Sequence, residues 1–342
     1  MSVLNDIDAR SREIFRQIVE SYLKLGEPVG SRTLSQDPRI AVSAATVRNV
    51  MADLTDIGLL HSPHVSAGRV PTEYGLRLFV DSMMQVSDLS EQERRAIDSG
   101  EAQEEGASVL EQAAAKLSGL TQTASLVVAP KQEAPLRHIE FVATSPRQAL
   151  VVLVFEDGRV ENRIIDTPEG LPTSALISAG NYLSARLRGR TIRETRDEIL
   201  DELRSRRAEL DELTTRLVQD GVAEVAGGER SSLIVRGRGR LLDEAAGADL
   251  ERVRMLFDDL ERKQEVIDLL NAAREGEGVR IYIGSENRLF SLSGSSVIVA
   301  PYRDQSRKIV GVLGVIGPTR LNYARVIPIV DYTAEVVSRM LK

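Results

Sequence analysis

The sequence predicts an α+β chain of several domains: a winged helix-turn-helix at the N-terminus, then a mixed α/β domain that is interrupted by an α-rich insertion. Two observations indicate this organisation. Residues 43–71 hold a capped amphipathic helix followed by a short hairpin, and two sets of strand-like segments flank a long helical stretch further on. The 342 residues allow two or three domains, and 42% hydrophobic with 28% charged residues is typical of a globular chain.

The first two helices precede this stretch. Asp8 to Leu25 carries apolar residues on one broad face, and Gly26 ends it. A Pro-Val-Gly turn follows, Ser31 can cap a short helix over residues 32–36, and Pro38 prevents its extension.

The third helix begins at Ser43, whose hydroxyl can accept a hydrogen bond from the first helical turn. It ends at Gly58, which adopts the left-handed conformation without a Cβ penalty. Five apolar residues at helical spacing predict the face that packs on the core: Val47, Val50, Met51, Leu54 and Ile57.

A small hairpin completes the unit. Leu59 and Leu60 predict a first strand, residues 61–64 break it, and Val65 to Val70 predict the return strand before Pro71. Three helices followed by a hairpin is the order of a winged helix-turn-helix, which places its third helix in the DNA major groove and its wing over the backbone.

The side of the third helix opposite its apolar face carries small and hydrogen-bonding residues. Arginine can pair with guanine and asparagine with adenine, each through two hydrogen bonds, and small residues let a helix seat deeply. An ordinary solvated helix face is the alternative, and the flanking helices and hairpin favour DNA contact. The predicted DNA-contacting residues are Arg32, Ser43, Ala45, Thr46, Arg48, Asn49, Ala52, His61, His64 and Arg69.

The charge balance limits how this domain can bind. The chain has a net charge of −7, and residues 1–85 hold nine Lys and Arg against ten Asp and Glu. A protein that coats nucleic acid non-specifically would be basic, so that class is disfavoured. We expect modest affinity and a shallow salt dependence per monomer, which makes dimerisation important.

The rest of the chain divides by composition and periodicity. Residues 1–85 end with a helix over 71–85, and an acidic linker helix over 86–106 follows. Strands are predicted at 126–129, 136–143, 149–155, 160–166, 279–284, 289–292, 296–302 and 308–316, with helices at 171–187 and 321–341. Two sets of strands separated by helices predict one α/β domain in two parts, 107–190 and 265–342, around an insertion at 191–264.

Two charged amphipathic helices are predicted here, one at 194–220 inside the insertion and one at 249–274 that runs past its end, with a short strand at 231–235 between them. Their apolar stripes are too irregular for a coiled coil. Packing within the domain and packing against a second subunit both fit these stripes.

Several classes of site are disfavoured. Cysteine is absent, which leaves His61 and His64 short of metal ligands. The Gly311, Gly314 and Gly317 spacing matches no phosphate-binding fingerprint and predicts close strand packing instead. Since no nucleophile, base and orienting group can be assembled, we expect no catalysis, cofactor or metal. An apolar signal core and a membrane-length apolar run are also missing, so a cytoplasmic protein is expected.

Four segments together resemble the HrcA family, the heat-inducible transcription repressors of bacteria. They are PVGSRTLS, VSAATVRNVMADLTDIGLL and HVSAGRVPTEYGLRLFVD near the N-terminus, and GVLGVIGPTRLNYARVIPIVDY near the C-terminus. The resemblance covers essentially the whole chain. It implies that the α/β domain is GAF-like and that the insertion mediates dimerisation.

The resemblance also implies the partners. A homodimer would bind double-stranded DNA at the inverted repeat called CIRCE, upstream of chaperone operons, and the GroEL chaperonin would maintain its activity. The alternative is a ligand-responsive regulator whose GAF-like domain senses a small molecule.

Overall fold

The computed structural model describes residues 7–40, 42–64, 67–99, 108–130, 134–205, 214–219, 231–243, 250–275, 278–287, 289–290 and 293–341. It is a mixed α/β structure, as predicted, and its strands pair antiparallel wherever a register is defined. The chain forms two compact units. One comprises residues 1–129 and 232–342, and the other residues 130–231.

The first unit begins with a small helical body, residues 7–82, which we call the head. Its helices and strands are α1 (Ala9–Leu25), α2 (Ser31–Ser35), α3 (Ala44–Asp56), β1 (Leu60–His61), β2 (Val70–Pro71) and α4 (Glu73–Ser82). Strands β1 and β2 pair antiparallel, with Leu60 opposite Pro71 and His61 opposite Val70. The predicted order of three helices and a hairpin is therefore confirmed.

The head is held together by apolar residues at helical spacing. Phe15 and Ile18 of α1 and Val47 and Leu54 of α3 are buried in one cluster. Burying each such side chain contributes about 1.5–3 kcal/mol, so this contact fixes α3 on α1.

A five-stranded sheet forms the centre of the first unit, in the order β7-β3-β10-β9-β8. Strand β10 pairs antiparallel with both β3 and β9, and β8 pairs antiparallel with β9. The strands are β3 (Ala124–Pro130), β7 (Ser231–Arg236), β8 (Arg280–Ile283), β9 (Ser295–Arg303) and β10 (Ile309–Pro318). The helices of this unit after the head are α5 (Glu91–Asp98), α6 (Val109–Thr121), α10 (Arg240–Asp243), α11 (Leu250–Glu261), α12 (Lys263–Ala272) and α13 (Tyr323–Met340).

Both faces of this sheet are covered by helices. Alternate residues of β3 belong to different cores: Val127 clusters with α6, α13 and the head, whereas Leu126 and Val128 cluster with α11 and α12. Period-two alternation sends neighbouring side chains to opposite faces, and here each face meets an apolar layer. The near-continuous hydrophobicity of β9 and β10 follows from this two-sided burial.

The second unit is a three-stranded antiparallel meander with helices on one side. Its strands and helices are β4 (Leu136–Ser145), β5 (Gln148–Phe155), β6 (Val160–Asp166), α7 (Thr173–Leu187), α8 (Ile192–Arg204) and a short helix α9 over residues 214–219. Helix α7 packs on β4, and a Cβ on Gly180 would lie 3.4 Å from the Ile139 carbonyl oxygen. That close approach explains why a glycine lies inside this helix.

The strands predicted to share one domain lie in two separate sheets. The segment 136–166 forms its own meander, and β7, expected inside the insertion, occupies an edge of the five-stranded sheet. The unit that interrupts the first one spans residues 130–231 rather than 191–264. Periodicity identifies a strand but not its partner, which explains the difference.

Three local predictions also differ. Residues 289–290 of the predicted strand 289–292 form a turn, and 291–292 lie outside the described residues. The predicted helix 249–274 divides at Arg262 into α11 and α12. Of the predicted linker helix 86–106, Glu91–Asp98 is helical, and residues 100–106 lie outside the described part of the chain. Among the described helices, none is both long and apolar enough to cross a bilayer.

Candidate nucleic-acid interface

Helix α3 is bounded by two local motifs that the sequence predicts. The Ser43 hydroxyl accepts a hydrogen bond from the Thr46 N–H at 3.2 Å, which caps the first turn. At the other end Gly58 has φ +78°, the Leu59 N–H donates to Leu54 O at 3.0 Å and the Gly58 N–H donates to Thr55 O at 2.9 Å. This pair of bonds is a Schellman motif, and the buried Leu54 and Leu59 add its apolar contact.

Four of the five residues predicted to face the core are buried, namely Val47, Val50, Met51 and Leu54. The fifth prediction was wrong, because Ile57 is 46% exposed. The helix ends at Asp56, so Ile57 is the C-cap residue and its side chain leaves the helical stripe.

The opposite side of α3 faces solvent. Ala45, Arg48, Asn49 and Ala52 are all exposed, and Thr46 at the flank is half-buried. Arg48 and Asn49 are thus presented side by side between two alanines, on a helix whose other side is fixed in the core. That arrangement presents two side chains with forked hydrogen-bonding groups on the exposed side of the helix.

The hydroxyls at the start of α3 act on each other as well as on the backbone. Ser43 Oγ and Thr46 Oγ1 are 3.0 Å apart, so the two side chains orient one another. Ser43 therefore has a structural task whatever else it contacts.

The hairpin carries both predicted histidines on its surface. His61 and His64 are exposed, and the Ser62 hydroxyl donates to the His64 carbonyl at 2.6 Å, which tightens the turn. Residues 65–66 of the predicted return strand lie outside the described residues. Of the others, Val70 lies in β2, which includes Pro71, and Arg69 forms an isolated bridge with Val29.

Arg69 is half-buried and is bound inside the head. Its backbone exchanges two hydrogen bonds with Val29, both at 2.9 Å, and its Nε donates to Thr55 Oγ1 at 3.1 Å. Thr55 in turn donates to the Met51 carbonyl at 2.7 Å. Arg69 thus ties the hairpin to the last turn of α3.

Gly68 makes this contact possible, and the sequence interpretation did not single it out. A Cβ at position 68 would lie 2.3 Å from Val29 O, inside the backbone of the Pro-Val-Gly turn. The signal was available, because a glycine directly before a strand residue often marks close backbone approach.

Two further exposed arginines of the head, Arg32 and Arg39, differ in their surroundings. Arg32 is exposed on α2, which packs against α3. Arg39 forms ion pairs with Asp37 and, at 3.4 Å, with Glu20. The hydrogen bond from Arg39 lowers the pKa of Asp37 to about 2. Arg39 is therefore partly neutralised by its own domain, which makes it a weaker candidate for phosphate contact.

The three glycines of β10 line a strand contact, as predicted. A Cβ at Gly311 would lie 2.2 Å from Tyr302 Oη, one at Gly314 2.1 Å from Ile298 O, and one at Gly317 2.8 Å from Leu321 Cδ2. Their small size serves packing on the sheet.

Comparison with known proteins identifies relatives over nearly the whole chain. Residues 107–327 match the family model described as HrcA protein C terminal domain. A heat-inducible transcription repressor HrcA of Bradyrhizobium diazoefficiens is 58% identical over 346 residues, covering 99% of this chain and 95% of that protein. One of Afipia carboxidovorans is 58% identical over 347 residues, covering 99% and 96%.

A solved structure has the same fold. It is titled a hypothetical protein at 2.2 Å resolution, and it aligns with a TM-score of 0.60 at 24% identity over 97% of this chain and 98% of that one. The match to the family model and the identity with the named repressors along nearly all of their length show that this chain belongs to the HrcA family of heat-inducible transcription repressors.

Proposed function

We propose that the repressor binds double-stranded DNA by inserting α3 into the major groove, with the β1–β2 hairpin as a wing over the adjacent backbone. The observation that carries this proposal is the exposed row of Ala45, Arg48, Asn49 and Ala52 on a helix that is buried along its opposite side. A winged helix-turn-helix reads base edges with such a helix.

Each predicted contact residue then has a definite task. Arg48 and Asn49 read bases through forked hydrogen bonds, and the alanines allow close approach. Ser43, Thr46, Arg32, His61 and His64 lie near phosphates and set the position on the duplex. For Arg69 we propose a mainly supporting role, because its Nε is bound to Thr55.

The operator we propose is the CIRCE inverted repeat of chaperone operons, bound by a homodimer. An inverted repeat matches the two-fold symmetry of a dimer, since each subunit meets one half-site. The low charge of the head supports this assignment, because one copy offers few phosphate contacts.

We assign dimerisation to the second unit, residues 130–231, and the sheet of the first unit to the GAF-like part. One face of the β4–β5–β6 meander supports this, because it exposes several apolar side chains beside the polar His138, Glu140 and Asn162. Ile164 is 62% exposed, Val160 58% and Val142 43%, with half-buried apolar residues of β5 between them: Leu150, Val152 and Val154. Exposed apolar surfaces of this kind mark interfaces.

A binding experiment tests DNA recognition. We expect the full chain to retard a CIRCE duplex at concentrations where a scrambled duplex of equal length stays free. Arg48→Ala should weaken CIRCE binding about tenfold or more, because a forked pair with guanine contributes about 1–3 kcal/mol. It should also relax the preference at the base it reads.

The matched control is Arg147→Ala, which removes the same charge from an exposed ion pair with Glu169 in the second unit. It should leave CIRCE binding within about twofold, because a loss of net charge alone acts weakly and equally on all sequences. Equal binding of CIRCE and the scrambled duplex by the unmodified chain would contradict the proposal.

Chaperonin control is the second part of the proposal. We expect heat-treated repressor to regain CIRCE binding when GroEL and ATP are added, and to stay inactive with an equal mass of serum albumin. Recovery that needs a small metabolite instead of GroEL would favour the ligand-responsive alternative.

A further inference from the structure

Helix α4 connects the head to the five-stranded sheet through two side chains. Glu73 and Arg77 lie one helical turn apart, and both bind a 3₁₀ turn over Gly284–Glu286 that follows β8. The partners are separated by 209 and 212 residues in sequence, so this contact closes a long-range link within the first unit. We call the four side chains Glu73, Arg77, Ser285 and Glu286 the clasp.

Arg77 makes the stronger half of the clasp. Its Nε donates to Glu286 Oε1 at 2.7 Å and its Nη2 donates to Glu286 Oε2, which is the forked geometry that fixes direction as well as distance. Nη2 also donates to the Ile281 carbonyl of β8 at 2.6 Å. The Arg77 side chain is only 24% exposed and Glu286 33%, so the pair is partly shielded from solvent.

Glu73 makes the other half. Its Oε2 accepts a hydrogen bond from the Ser285 N–H at 3.0 Å and another from the Ser285 hydroxyl. Gly284 has φ +53°, and a Cβ there would lie 1.9 Å from Glu73 Oε1. The turn therefore accepts this carboxylate only because residue 284 is glycine, in a conformation that other residues rarely adopt.

The clasp is joined directly to the end of the reading helix α3. The Thr72 hydroxyl, which caps α4, donates to the Gly58 carbonyl at 2.7 Å, and the Thr72 N–H donates to Leu59 O at 3.0 Å. A Cβ on Gly75 would lie 2.2 Å from the same Leu59 carbonyl oxygen, so α4 and the end of α3 touch backbone to backbone. A short path of hydrogen bonds thus runs from α3 through α4 to the sheet.

We propose that Glu73 and Arg77 are positioning residues that fix the angle of α3 on the core, and that the clasp thereby sets the half-site spacing that the dimer accepts. The inference rests on the proposed function, in which two heads bind one inverted repeat. A rigid attachment holds the two reading helices at one separation. A loose attachment lets that separation vary, so that the dimer can bind half-sites at several spacings.

The clasp contributes little to folding, because partly exposed ion pairs are weak and the apolar residues of the head already belong to one buried cluster with α6, α13 and the sheet. Its effect lies in geometry. This separates it from a residue that is merely structural, whose loss would lower affinity for every spacing alike.

The test is a spacing series measured with the full-length protein. Duplexes carry the CIRCE half-sites with the intervening segment lengthened or shortened by one and two base pairs. We expect the parent to prefer one spacing by about tenfold or more, because each added base pair turns the second half-site by about 34°.

The variants are Arg77→Gln, Glu286→Gln and Glu73→Gln. Each should bind the preferred spacing about three- to tenfold more weakly and the altered spacings nearly as well as the parent does, so that the preference falls below about threefold. Binding to a single half-site should not change. The double variant Arg147→Gln with Glu169→Gln, which removes an ion pair in the second unit, should keep the preference.

A second readout needs no DNA. The chain has no cysteine, so Asp53→Cys on the exposed side of α3 places one spin label in each subunit. Pulsed electron resonance should give one narrow label-to-label distance distribution in the parent dimer and a broad one in the Arg77→Gln background. Circular dichroism checks that each variant is folded. If Arg77→Gln does not fold, the distance measurement uses Glu73→Gln, which keeps the Arg77–Glu286 pair.

Folded variants that keep both the spacing preference and the narrow distribution would overturn the inference while the proposed function stands. A parent that binds CIRCE and scrambled DNA alike would overturn both. Equal losses at every spacing, with an unchanged distance distribution, would reduce the clasp to an ordinary structural contact.

Discussion

Ser43 shows how one side chain can serve both the fold and the ligand. Its hydroxyl caps α3, and we also expect it near a phosphate. The two tasks have different chemical requirements, since a cap needs only an oxygen acceptor, whereas a phosphate excludes a negative charge.

Two substitutions separate these tasks. Ser43→Ala should lower the free energy of unfolding by about 1 kcal/mol through loss of the cap, as measured by urea titration. Ser43→Asp should keep the cap and the stability, because aspartate is an equally good acceptor at a helix N-terminus. It should nevertheless weaken CIRCE binding. Undiminished binding by Ser43→Asp would place the residue away from the DNA backbone.

Gly68 carries a second prediction at this scale. Gly68→Ala should destabilise the head by about 1–3 kcal/mol, because the added Cβ meets the Val29 backbone and neither segment can yield without breaking the Arg69–Val29 bridge. Gly119→Ala is the control. That glycine lies in α6 with no atom within 4 Å of the added Cβ, so alanine should be neutral or stabilise by up to about 1 kcal/mol. Thermal unfolding of both variants checks the difference.

At the scale of elements, the sequence alone locates a helix when the residues that cap it, end it and pack it lie within the helix or next to it. The Ser43 cap, the Gly58 stop and the spacing of Val47, Val50 and Leu54 locate α3 to within a residue. The exposed face with Arg48 and Asn49 follows from the same geometry, so most of the candidate site is readable from sequence. The Ile57 error has the same origin, because the pattern does not show that the helix ends one residue earlier.

The sequence did not show which strands pair with each other or which helices pack on them. Strands 124–130 and 136–145 are close in sequence and similar in composition, yet they lie in different sheets. The clasp could not be predicted either. In the sequence, Glu73 and Arg77 look like charged residues on a solvated helix face, and only the fold brings the turn at Gly284 beside them. Interactions over 200 residues depend on tertiary structure, which neither periodicity nor capping encodes.

The helix pair α7–α8 makes a pH-dependent prediction. Arg186 donates to Glu202 from Nε at 2.7 Å, and its guanidinium stacks 3.5 Å from the Tyr182 ring centre. The hydrogen bond from Arg186 is the main reason that the pKa of Glu202 lies below its ordinary value of 4.5. A carboxylate with a lowered folded pKa stabilises the fold above that ordinary value, and its contribution is lost as the pH falls through the folded pKa.

We therefore expect the second unit to lose stability on acidification below pH 4.5 and to lose less in Glu202→Gln, which does not titrate. Urea midpoints measured at several pH values between neutrality and strong acid give the slope. Parallel slopes in the two proteins would show that other carboxylates govern the acid transition.

At the scale of the whole molecule, the proposed function combines two properties: a head with few cationic contacts, and a dimer that would hold two heads together. Since residues 1–85 hold nine basic and ten acidic residues, the head gains little from counterion release. Affinity for an inverted repeat then comes from joining two weak sites, which raises the effective local concentration of the second head once the first has bound.

In this proposal, dimerisation depends on the face of the β4–β5–β6 meander that exposes Val142, Val160 and Ile164, which we call the open face. Ile164 is 62% exposed on that face. If two subunits meet there through apolar contact, Ile164→Asp would bury a charge in the interface. We expect the variant to be monomeric in sedimentation velocity and to bind CIRCE about a hundredfold more weakly, the loss that removal of bivalent attachment produces. Its affinity for a single half-site should equal that of the parent.

The matched control lies in the same unit. Ile177 is 57% exposed on α7, away from the open sheet face, so Ile177→Asp makes the same chemical change with nearly the same exposure. It should leave the dimer and its CIRCE affinity intact. If Ile164→Asp stays dimeric while Ile177→Asp dissociates, the subunits meet through the helical side of this unit, and the open sheet face has another partner.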